Sequence, residues 1–455
     1  MKNTTDLTKG DPKKLILGFF FPLLMTNTLQ QLYSFADTAI VGKGLGDNSL
    51  AAVGNMSSLC FLIIGFSMGL SNGFSILIAQ SFGEKDHAKL RRAVAHSITL
   101  AIGITVLLTL FSMSQLRNIL VLMQTGGEII DESLLYGHIL FGGLFATVSY
   151  NMCSGVLRAL GDSRTPLKAI IISSLMNIAL NLLFIFVFRW GVGGAAASTI
   201  ISQVFSGLFC FNKLRQLDIL KLTREDFNPD GKMYAVLLEN GMPMALMNSI
   251  TAVGCMVVQY FVNGMGVAFT SAYSACSRYL NMFMQPAATA GAAMSSYTSQ
   301  NYGAKRFDRI KDGLKVCLGI SAVTYAVSAV LMIFFPKQLA GLILNGSEQI
   351  DHAAQFLPLC GIMIFAVDML FVIRNAVQGM GFPFVPMLSG IAEMGLRIGA
   401  IIFLTESIGF RATAVAEILA WSGALMINAV AYFVIFARET GTRKSIVSRL
   451  KRISV

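Results

Sequence analysis

Residues 165–188 read TPLKAIIISSLMNIALNLLFIFVF, and this stretch decides the fold class. Beyond Lys168 it contains no charged residue as far as Phe188. An α-helix rises about 1.5 Å per residue, so about 20 such residues cross the ~30 Å hydrocarbon core of a bilayer. Asn177 and Asn181 are four residues apart and therefore share one face of that helix. The stretch predicts a transmembrane helix with a polar face.

Apolar stretches of this kind recur along all 455 residues. The chain is 55% hydrophobic and only 13% charged, whereas soluble proteins carry about 25% charged residues. This balance excludes a water-soluble enzyme and a disordered chain. The continuous apolar runs also exclude a β-barrel, whose strands alternate between polar and apolar residues. We predict an all-α membrane protein with twelve transmembrane helices, at about 15–41, 50–81, 93–115, 134–157, 165–188, 191–211, 235–262, 270–302, 314–335, 353–380, 384–404 and 410–437.

The net charge of +11 indicates membrane topology and not nucleic-acid binding. With the twelve helices numbered in order, 27 of the 35 lysines and arginines lie in segments on the side of the two termini. The opposite loops hold five, which are Lys43, Arg117, Arg189, Lys337 and Arg411. Basic loops stay in the cytoplasm. We therefore expect a multi-pass protein of the cytoplasmic (inner) membrane with both termini in the cytoplasm and no nucleic-acid partner.

No residue pattern indicates an enzyme or a cofactor site. The seven cysteines lie in apolar stretches without a C-x-x-C pair, and the four histidines are scattered. A disulfide framework and a metal cluster are therefore not predicted. The phosphate-binding sequence G-x-x-x-x-G-K-[ST] does not occur. We expect no catalytic residue and no cofactor.

The second half of the chain repeats the first at a nearly constant offset. Pro22 matches Pro243, and three further pairs follow, which are Gln80 with Gln300, Gly161 with Gly381, and Pro166 with Pro386. Each half holds six predicted helices, so both halves enter the membrane in the same orientation, as in a parallel repeat. The predicted organisation is a cytoplasmic tail at 1–14, a six-helix lobe at 15–211, a cytoplasmic linker at 212–233, a second six-helix lobe at 234–437 and a tail at 438–455.

Ionisable residues inside the predicted helices are rare and costly, at roughly 2.5–3.5 kcal/mol each at the bilayer centre. In the second half, Glu393 and Arg397 are four apart on one helix face. Two interpretations remain open for them, a structural ion pair or a contact with cargo or coupling ion. The secondary candidates of this half are Asp368, Glu393, Arg397 and Glu417.

Asp37 has no basic residue within its own predicted helix. Tyr33 lies one turn before it, and Asn177, Asn181 and Thr199 supply further oxygens in the fifth and sixth helices. Carboxylate, amide and hydroxyl oxygens bind hard cations such as Na⁺, and a desolvated carboxylate also carries a proton. For the amides alone, hydrogen bonding between helices is the alternative. The repeat counterparts of Tyr33, Asp37, Asn177 and Asn181 are, in that order, Gly254, Val258, Arg397 and Ile401, so the oxygen cluster belongs to the first half only.

These features resemble the multidrug and toxic compound extrusion (MATE) family over nearly the whole length. The resemblance rests on Pro22 followed by FADTAIVGKGLG, on AQSFGEKD, on RALGDSRTP followed by N-x-x-x-N, and on VQGMGFPFVP followed by AEMGLR. It implies export of drugs and organic cations by antiport against Na⁺ or H⁺. It also implies a cation site at Asp37 with Tyr33, Asn177 and Thr199. Some relatives have a second acid where this chain has Asn181, which puts an identical proton-coupling route in doubt.

The expected mechanism is alternating access of the two lobes, with a Na⁺ ion or a proton taken up at Asp37. Pro22 and its repeat counterpart Pro243 remove a backbone hydrogen bond and permit helix bending. The expected partners are a small organic cation or drug and membrane lipid, and the expected state is a monomer. The alternative function is a flippase for a lipid-linked precursor of the same broad superfamily. A membrane-embedded enzyme is disfavoured because no catalytic dyad is found, and a channel because no filter is found.

Overall fold

A computed structural model describes residues 4–123 and 125–441. Fourteen α-helices follow one another in this part of the chain: α1 Pro12–Leu45, α2 Asp47–Glu84, α3 His87–Leu122, α4 Gly127–Gly142, α5 Leu144–Ala159, α6 Arg164–Leu182, α7 Gly191–Arg215, α8 Gly231–Met265, α9 Val267–Gly303, α10 Phe307–Phe334, α11 Pro336–Gly341, α12 Ser347–Gly379, α13 Phe384–Ile408 and α14 Arg411–Glu439. A π-helical turn, Leu183–Val187, extends α6. The predicted all-α membrane protein is confirmed. The last predicted segment, 438–455, lies outside the described residues from residue 442 onward.

Ten of these helices are long and apolar enough to cross a membrane, or eleven if the bent pair α4 and α5 counts as one span. The remaining predicted span, 270–302, corresponds to α9, an unbroken helix of 37 residues. Its length suffices for a crossing, but alanine, serine and threonine make it less apolar than the others. Its hydropathy is therefore lower than that of the ten helices, and its assignment as a span rests on its length and on the single charged residue, Arg278, between positions 270 and 302.

The fourth predicted span, 134–157, is two helices and not one. α4 ends at Gly142 and α5 begins at Leu144, with an angle of 44° between them. The Ile200 side chain lies directly against Gly143, where a Cβ would overlap Ile200 Cδ1. A residue without a side chain at the bend lets α7 pack closely into it.

The repeat is visible in the backbone itself. Lys85 and Lys305 both have a left-handed backbone, with φ of 62° and 57°. Gly161 and Gly381 have φ of 80° and 87°. Both pairs are related by the same offset along the chain, and a left-handed backbone is uncommon for residues other than glycine. Each half therefore ends equivalent helices with the same turn.

The chain divides into two compact units, 1–6 with 18–248 and 7–17 with 249–455. Residues 234–248 thus belong to unit 1, although the sequence analysis assigned them to the second lobe. Close backbone packing within unit 1 explains the difference, because a Cβ at Gly69 would lie 2.5 Å from Ala245 Cα and one at Gly73 would overlap Gly241. α1 and α8 each pass from one unit to the other along their length.

The predicted linker, 212–233, contains two short 3₁₀ turns, Asp218–Leu220 and Arg224–Phe227. Asp226 fixes the second turn, because its carboxylate accepts hydrogen bonds from the Thr223 backbone N–H at 2.8 Å and from the Thr223 hydroxyl at 3.0 Å. Arg91 lies 3.5 Å from the same carboxylate. Desolvation raises the pKa of Asp226, but the Thr223 hydrogen bonds and the Arg91 charge outweigh it and hold that pKa below its usual range.

Candidate functional site

Unit 1 contains a cavity of about 290 Å³ whose wall combines polar and apolar side chains. Helices α1, α2, α4, α5 and α7 surround it. Gln30, Tyr33 and Asp37 reach it from α1, and Thr199 reaches it from α7. Its lining residues include no lysine and no arginine. A cation would therefore meet oxygen atoms and one carboxylate without competition from a basic side chain.

Asp37 is held at this cavity by an amide and not by a positive charge. The Asn181 side-chain N–H donates to Asp37 Oδ1 at 2.5 Å. Arginine and lysine are absent from the groups that interact with Asp37 in the described residues. A carboxylate locked to arginine would be unable to exchange an ion, and this one is not locked.

Asn177 and Asn181 form a buried chain of hydrogen bonds behind Asp37. The Asn181 N–H also donates to Asn177 Oδ1 at 2.9 Å, and both side chains are fully buried. The Ser198 hydroxyl donates to Asn181 Oδ1 at 2.5 Å, and Asn177 donates to Ser198 Oγ at 3.4 Å. Ser198 is also fully buried. The chain fixes the amide that faces Asp37, and the sequence analysis did not identify Ser198 because a single serine in an apolar helix has no distinguishing pattern.

Tyr33 and Thr199 complete the group. The Tyr33 side chain hydrogen-bonds the Thr199 side chain and lies near Asp37. The Thr199 hydroxyl in turn donates to the Ala195 carbonyl at 3.1 Å. The structure thus brings together the five residues proposed from the sequence, which are Tyr33, Asp37, Asn177, Asn181 and Thr199. Tyr136 of α4 also lies near Asp37 and was not anticipated.

This group can serve a hard cation or a proton. Asp37, Thr199 and Tyr33 line the cavity with oxygen-bearing side chains. Oxygens of these kinds are the ligands that hard cations prefer. Among residues 4–123 and 125–441, no three His, Cys, Asp or Glu side chains cluster as a transition metal would require.

A second part of the cavity wall carries polar atoms that lack hydrogen-bond partners among the described residues. These are Tyr150 Oη, Asn151 Nδ2 and Gln203 Oε1, on α5 and α7. A buried polar atom without a partner costs about 1–3 kcal/mol. Atoms of this kind favour a ligand that hydrogen-bonds to them. The sequence analysis did not select these residues, because they follow no regular spacing.

In unit 2, the secondary candidates form a buried ion-pair network. Arg397 pairs with Glu393 and with Glu417, each at 3.0 Å, and Arg374 pairs with Glu393 at 2.7 Å. All four side chains are less than a tenth exposed. Two positive and two negative charges therefore balance. The ion-pair interpretation of Glu393 and Arg397 agrees with this geometry.

Asp368 does not join the network. Its side chain is 1% exposed, and neither carboxylate oxygen has a hydrogen-bond partner among the described residues. An ionised carboxylate in this position has a desolvation cost of several kcal/mol without compensation. Of the buried acids in unit 2, Asp368 is thus the one that a cation or a proton would relieve most.

Pro22 and Pro243 lie inside α1 and α8. Each is close to the point where its helix passes between the units, at 17/18 and 248/249. A proline inside a helix removes one backbone hydrogen bond and permits a kink. The Thr26 hydroxyl donates to the Pro22 carbonyl at 2.8 Å, which takes up one of the acceptors near the break.

Comparison with known proteins accounts for this arrangement. The MatE family model matches the chain twice, at residues 22–183 and 243–403. The chain belongs to the MATE family. The two matches begin at Pro22 and at Pro243, as the internal repeat predicts. MATE proteins are membrane transporters and not enzymes.

Two curated relatives of this MATE protein come from Bacillus subtilis (strain 168). The "Probable multidrug resistance protein YoeA" is 31% identical over 357 residues, which are 76% of this chain and 77% of YoeA. The "Probable multidrug resistance protein YpnP" is 30% identical over 381 residues, which are 83% of this chain and 84% of YpnP.

Solved MATE structures share the fold over nearly the whole chain. A crystal structure of MATE in the bent conformation matches with a TM-score of 0.90 and 24% identity, covering 96% of this chain and 99% of that one. The outward-facing conformation of a multidrug resistance MATE family transporter matches with a TM-score of 0.90 and 23% identity, covering 96% and 99%. These likenesses support the fold assignment.

Proposed function

We propose that this MATE protein exports drugs and organic cations across the cytoplasmic membrane in exchange for Na⁺ or H⁺ taken up at Asp37. The observation that carries the proposal is a lone carboxylate on the wall of the unit 1 cavity, held by the Asn181 amide, in a lining that contains no arginine and no lysine. The names of the relatives YoeA and YpnP point to drugs as cargo. The predicted orientation, with both termini in the cytoplasm, belongs to the same proposal.

The coupling ion acts through α1. Uptake of a cation or proton at Asp37 weakens the attraction of the carboxylate for the Asn181 N–H. This change in turn disturbs the hydrogen bonds that Asn181 makes with Asn177 and Ser198. α1 can respond by bending near Pro22, because the proline leaves the helix without one backbone hydrogen bond. We propose that this bending alternates the access of the cavity between the two sides of the membrane.

The available driving force is sufficient for export. One monovalent charge that crosses a membrane potential of 100 mV releases about 2.3 kcal/mol. At about 1.4 kcal/mol for each tenfold ratio, this supports a gradient of roughly forty-fold for an uncharged cargo exchanged one for one. A monovalent cationic cargo exchanged one for one moves no net charge, so its export draws on the concentration gradient of the coupling ion or on a second ion. The mechanism therefore needs no nucleotide.

Cargo binding fits the remaining cavity wall. An organic cation is attracted by the carboxylate of Asp37 and packs on aromatic faces such as those of Tyr136 and Phe141, which also line the cavity. The Tyr150, Asn151 and Gln203 side chains line the cavity and carry buried polar atoms without partners, which a side-chain rotation would bring into hydrogen-bonding reach of polar parts of the cargo. A lipid-linked pyrophosphate would need basic side chains, which this cavity lining lacks. The cavity therefore favours drug export over the flippase alternative.

The test is transport in proteoliposomes, with ethidium as cargo and either a Na⁺ gradient or a pH gradient as the only driving force. We expect Asp37→Asn to abolish ion-driven transport while insertion and folding persist. Asp351→Asn is the matched control, because Asp351 forms an exposed ion pair with Lys337. Transport at the wild-type rate by Asp37→Asn would contradict the proposal. Transport of a lipid-linked precursor without ethidium transport would instead support the flippase.

A further inference from the structure

The internal repeat allows the polar site of unit 1 to be mapped onto unit 2 residue by residue. The alignment is set by three pairs, which are Pro22 with Pro243 for α1 and α8, Pro166 with Pro386 for α6 and α13, and Gly191 with Gly409 for the starts of α7 and α14. The matching positions are Gly254 for Tyr33, Val258 for Asp37, Arg397 for Asn177 and Glu417 for Thr199. Unit 2 thus has the equivalent positions but very different side chains.

A positive charge of the protein itself occupies the equivalent position in unit 2. The Arg397 guanidinium donates to Glu417 Oε2 through Nε at 3.2 Å and through Nη2 at 3.0 Å. Nη2 also donates to Glu393 Oε1 at 3.0 Å. Arg397 is 2% exposed. Two carboxylates therefore hold a guanidinium where unit 1 has the amide of Asn177.

The helix that faces Arg397 has small or apolar residues where α1 carries the tyrosine and the acid. A Cβ at Gly254 would lie only 3.2 Å from Arg397 Nη1. Val258, which replaces the acid, is fully buried. The guanidinium therefore extends into space that a tyrosine at position 254 would fill. The substitutions on α8 and α13 are sterically complementary.

We propose that Arg397 is a built-in cation, whose guanidinium occupies in unit 2 a latent cation site equivalent to the Asp37 site of unit 1. The equivalence of role rests on the function proposed above for Asp37, whereas the latent site itself follows from the geometry of unit 2. In the native protein this unit needs no cation from solution at that position. The network is balanced, with two arginines and two glutamates.

Removal of the Arg397 charge would open the latent site. Glu393 would keep Arg374 at 2.7 Å, but Glu417 would lose the ion pair that holds it. The network would then have a net charge of −1 in a buried setting, and a buried carboxylate without a partner is strongly destabilising. A monovalent cation, either Na⁺ or a proton, would restore the balance.

The other titratable groups near this site are few, and most of them are neutral in their ordinary form. The groups around Arg397 and Glu417 are Glu393 on α13, Arg374 and Cys360 on α12, Cys255 on α8 and Tyr273 on α9. Cysteine and tyrosine are uncharged near neutral pH. Glu417 is therefore the group whose charge a bound cation or proton would compensate.

The experiment compares full-length variants that all carry Asp37→Asn, so that the site of unit 1 does not contribute. Thermal unfolding is measured for the Asp37→Asn protein alone, with Arg397→Met added, and with Arg397→Met and Glu417→Gln added. One series varies NaCl against choline chloride at constant ionic strength and pH. A second series varies the pH in choline chloride. The two series distinguish Na⁺ from protons as the occupant.

We expect Arg397→Met to lower Tm in choline chloride at neutral pH and to recover about 3 °C or more with about 100 mM Na⁺ or on acidification. The variant that also carries Glu417→Gln should respond no more than the Asp37→Asn parent, which retains Asp368, because it no longer holds the unpaired charge of Glu417. Arg397→Lys keeps the charge and should also respond no more than the parent. Should Arg397→Met fail to fold under all conditions, Arg397→Gln removes the same charge and is expected to respond in the same way.

An Arg397→Met or Arg397→Gln protein that responds to neither Na⁺ nor pH would overturn the proposal. An equal response after addition of Glu417→Gln would overturn it as well, because the effect would then be independent of the unpaired carboxylate. The proposed role of Asp37 is read separately, from the cation response of wild type against Asp37→Asn. Failure of one proposal therefore leaves the result for the other intact.

Discussion

Arg309 of α10 holds the N-terminal segment on unit 2. Its guanidinium donates to the Leu7 carbonyl at 3.2 Å and to the Gly10 carbonyl at 2.9 Å, and its Nε donates to Asn301 Oδ1 at 3.1 Å. Arg309 is 8% exposed, and Leu7 is 1% exposed. We predict that Arg309→Ala makes detachment of residues 7–11 from the rest of unit 2 more frequent, because the Leu7 and Gly10 carbonyls each lose a charged hydrogen-bond donor.

The size of the effect follows from the bonds that are lost. A hydrogen bond to a charged group contributes about 1.5–3 kcal/mol, and such contributions are not fully additive. A loss of about 3 kcal/mol is a cautious total for the two bonds to the segment, because the bond to Asn301 lies within unit 2. The Asn301 amide still donates to the Leu7 carbonyl at 3.2 Å, and the Leu7 N–H still donates to Gln300 Oε1 at 2.9 Å. At about 1.4 kcal/mol for each tenfold ratio, the detached state becomes roughly 100 times more populated.

The assay is limited trypsin digestion of the full-length protein, followed by mass spectrometry of the peptide released by cleavage after Lys9. Lys9 is exposed, but the neighbouring Gly10 carbonyl is bound by Arg309. When opening is fast relative to cleavage, the cleavage rate follows the population of the open state. We therefore expect Arg309→Ala to be cleaved there roughly 100 times faster than wild type.

Arg306→Ala is the matched control, because Arg306 pairs only with the exposed Asp308 among the ion pairs of the described residues. An exposed ion pair contributes about 0–1 kcal/mol, so cleavage after Lys9 should change by less than about fivefold. Equal cleavage rates for Arg309→Ala and wild type would refute the reasoning, since the segment would then be held by other contacts.

Three further predictions concern the cavity, the packing of unit 1 and the linker. Asn181→Leu removes the N–H that holds Asp37, and we expect ion-driven ethidium transport in proteoliposomes to fall at least tenfold while the protein still folds; unchanged transport would count against the role of this amide. Gly73→Val introduces a side chain where Gly241 backbone already lies, and we expect a loss of several °C in Tm or failure to fold, measured by thermal unfolding. The lowered pKa of Asp226 stabilises its 3₁₀ turn above the unfolded pKa of about 3.9, and this contribution is lost as the pH falls through the lower folded value. The protection factors of residues 223–228 in hydrogen exchange, which correct for the slower intrinsic exchange at lower pH, should therefore fall on acidification from pH 5 to pH 3, and an Asp226→Asn protein should show no such fall.

The sequence predicted the helices well because membrane crossing imposes a simple demand. An apolar run of about 20 residues is long enough to cross the hydrocarbon core of a bilayer. Because no water is present there, its backbone N–H and C=O groups must bond to one another, and an α-helix achieves this within a single segment. α9 was still predicted, although its small residues lower its hydropathy, because Arg278 is the only charged residue between positions 270 and 302. The bend at Gly143 was not predictable, since it depends on a contact with Ile200 in a different helix.

The candidate site was predicted in part for a comparable reason. Asp37 and Asn181 were selected because polar residues are rare in apolar helices. Helical spacing also places Asp37 on one face of its helix with Tyr33, and Asn181 on one face of its helix with Asn177. Ser198 and Gln203 were not selected, because their importance arises only when α7 packs beside α5 and α6. The boundary of unit 1 inside α8 was also hidden, since it follows from glycine contacts between helices and not from composition.

The two halves share backbone features at equivalent positions but differ in the side chains of the polar site. Lys85 and Lys305 have the same left-handed backbone, because both halves need the same turn after the second helix. Asp37 and Val258 occupy equivalent positions as well, yet only the first can bind a cation. Backbone demands thus persist in both copies, while the position that we propose for ion exchange differs between them. If unit 2 exchanged an ion at the equivalent place, a guanidinium held by two glutamates would obstruct it. We therefore expect the exchange in this protein to depend on unit 1 at that position, with Arg397 keeping the second copy closed to ions from solution.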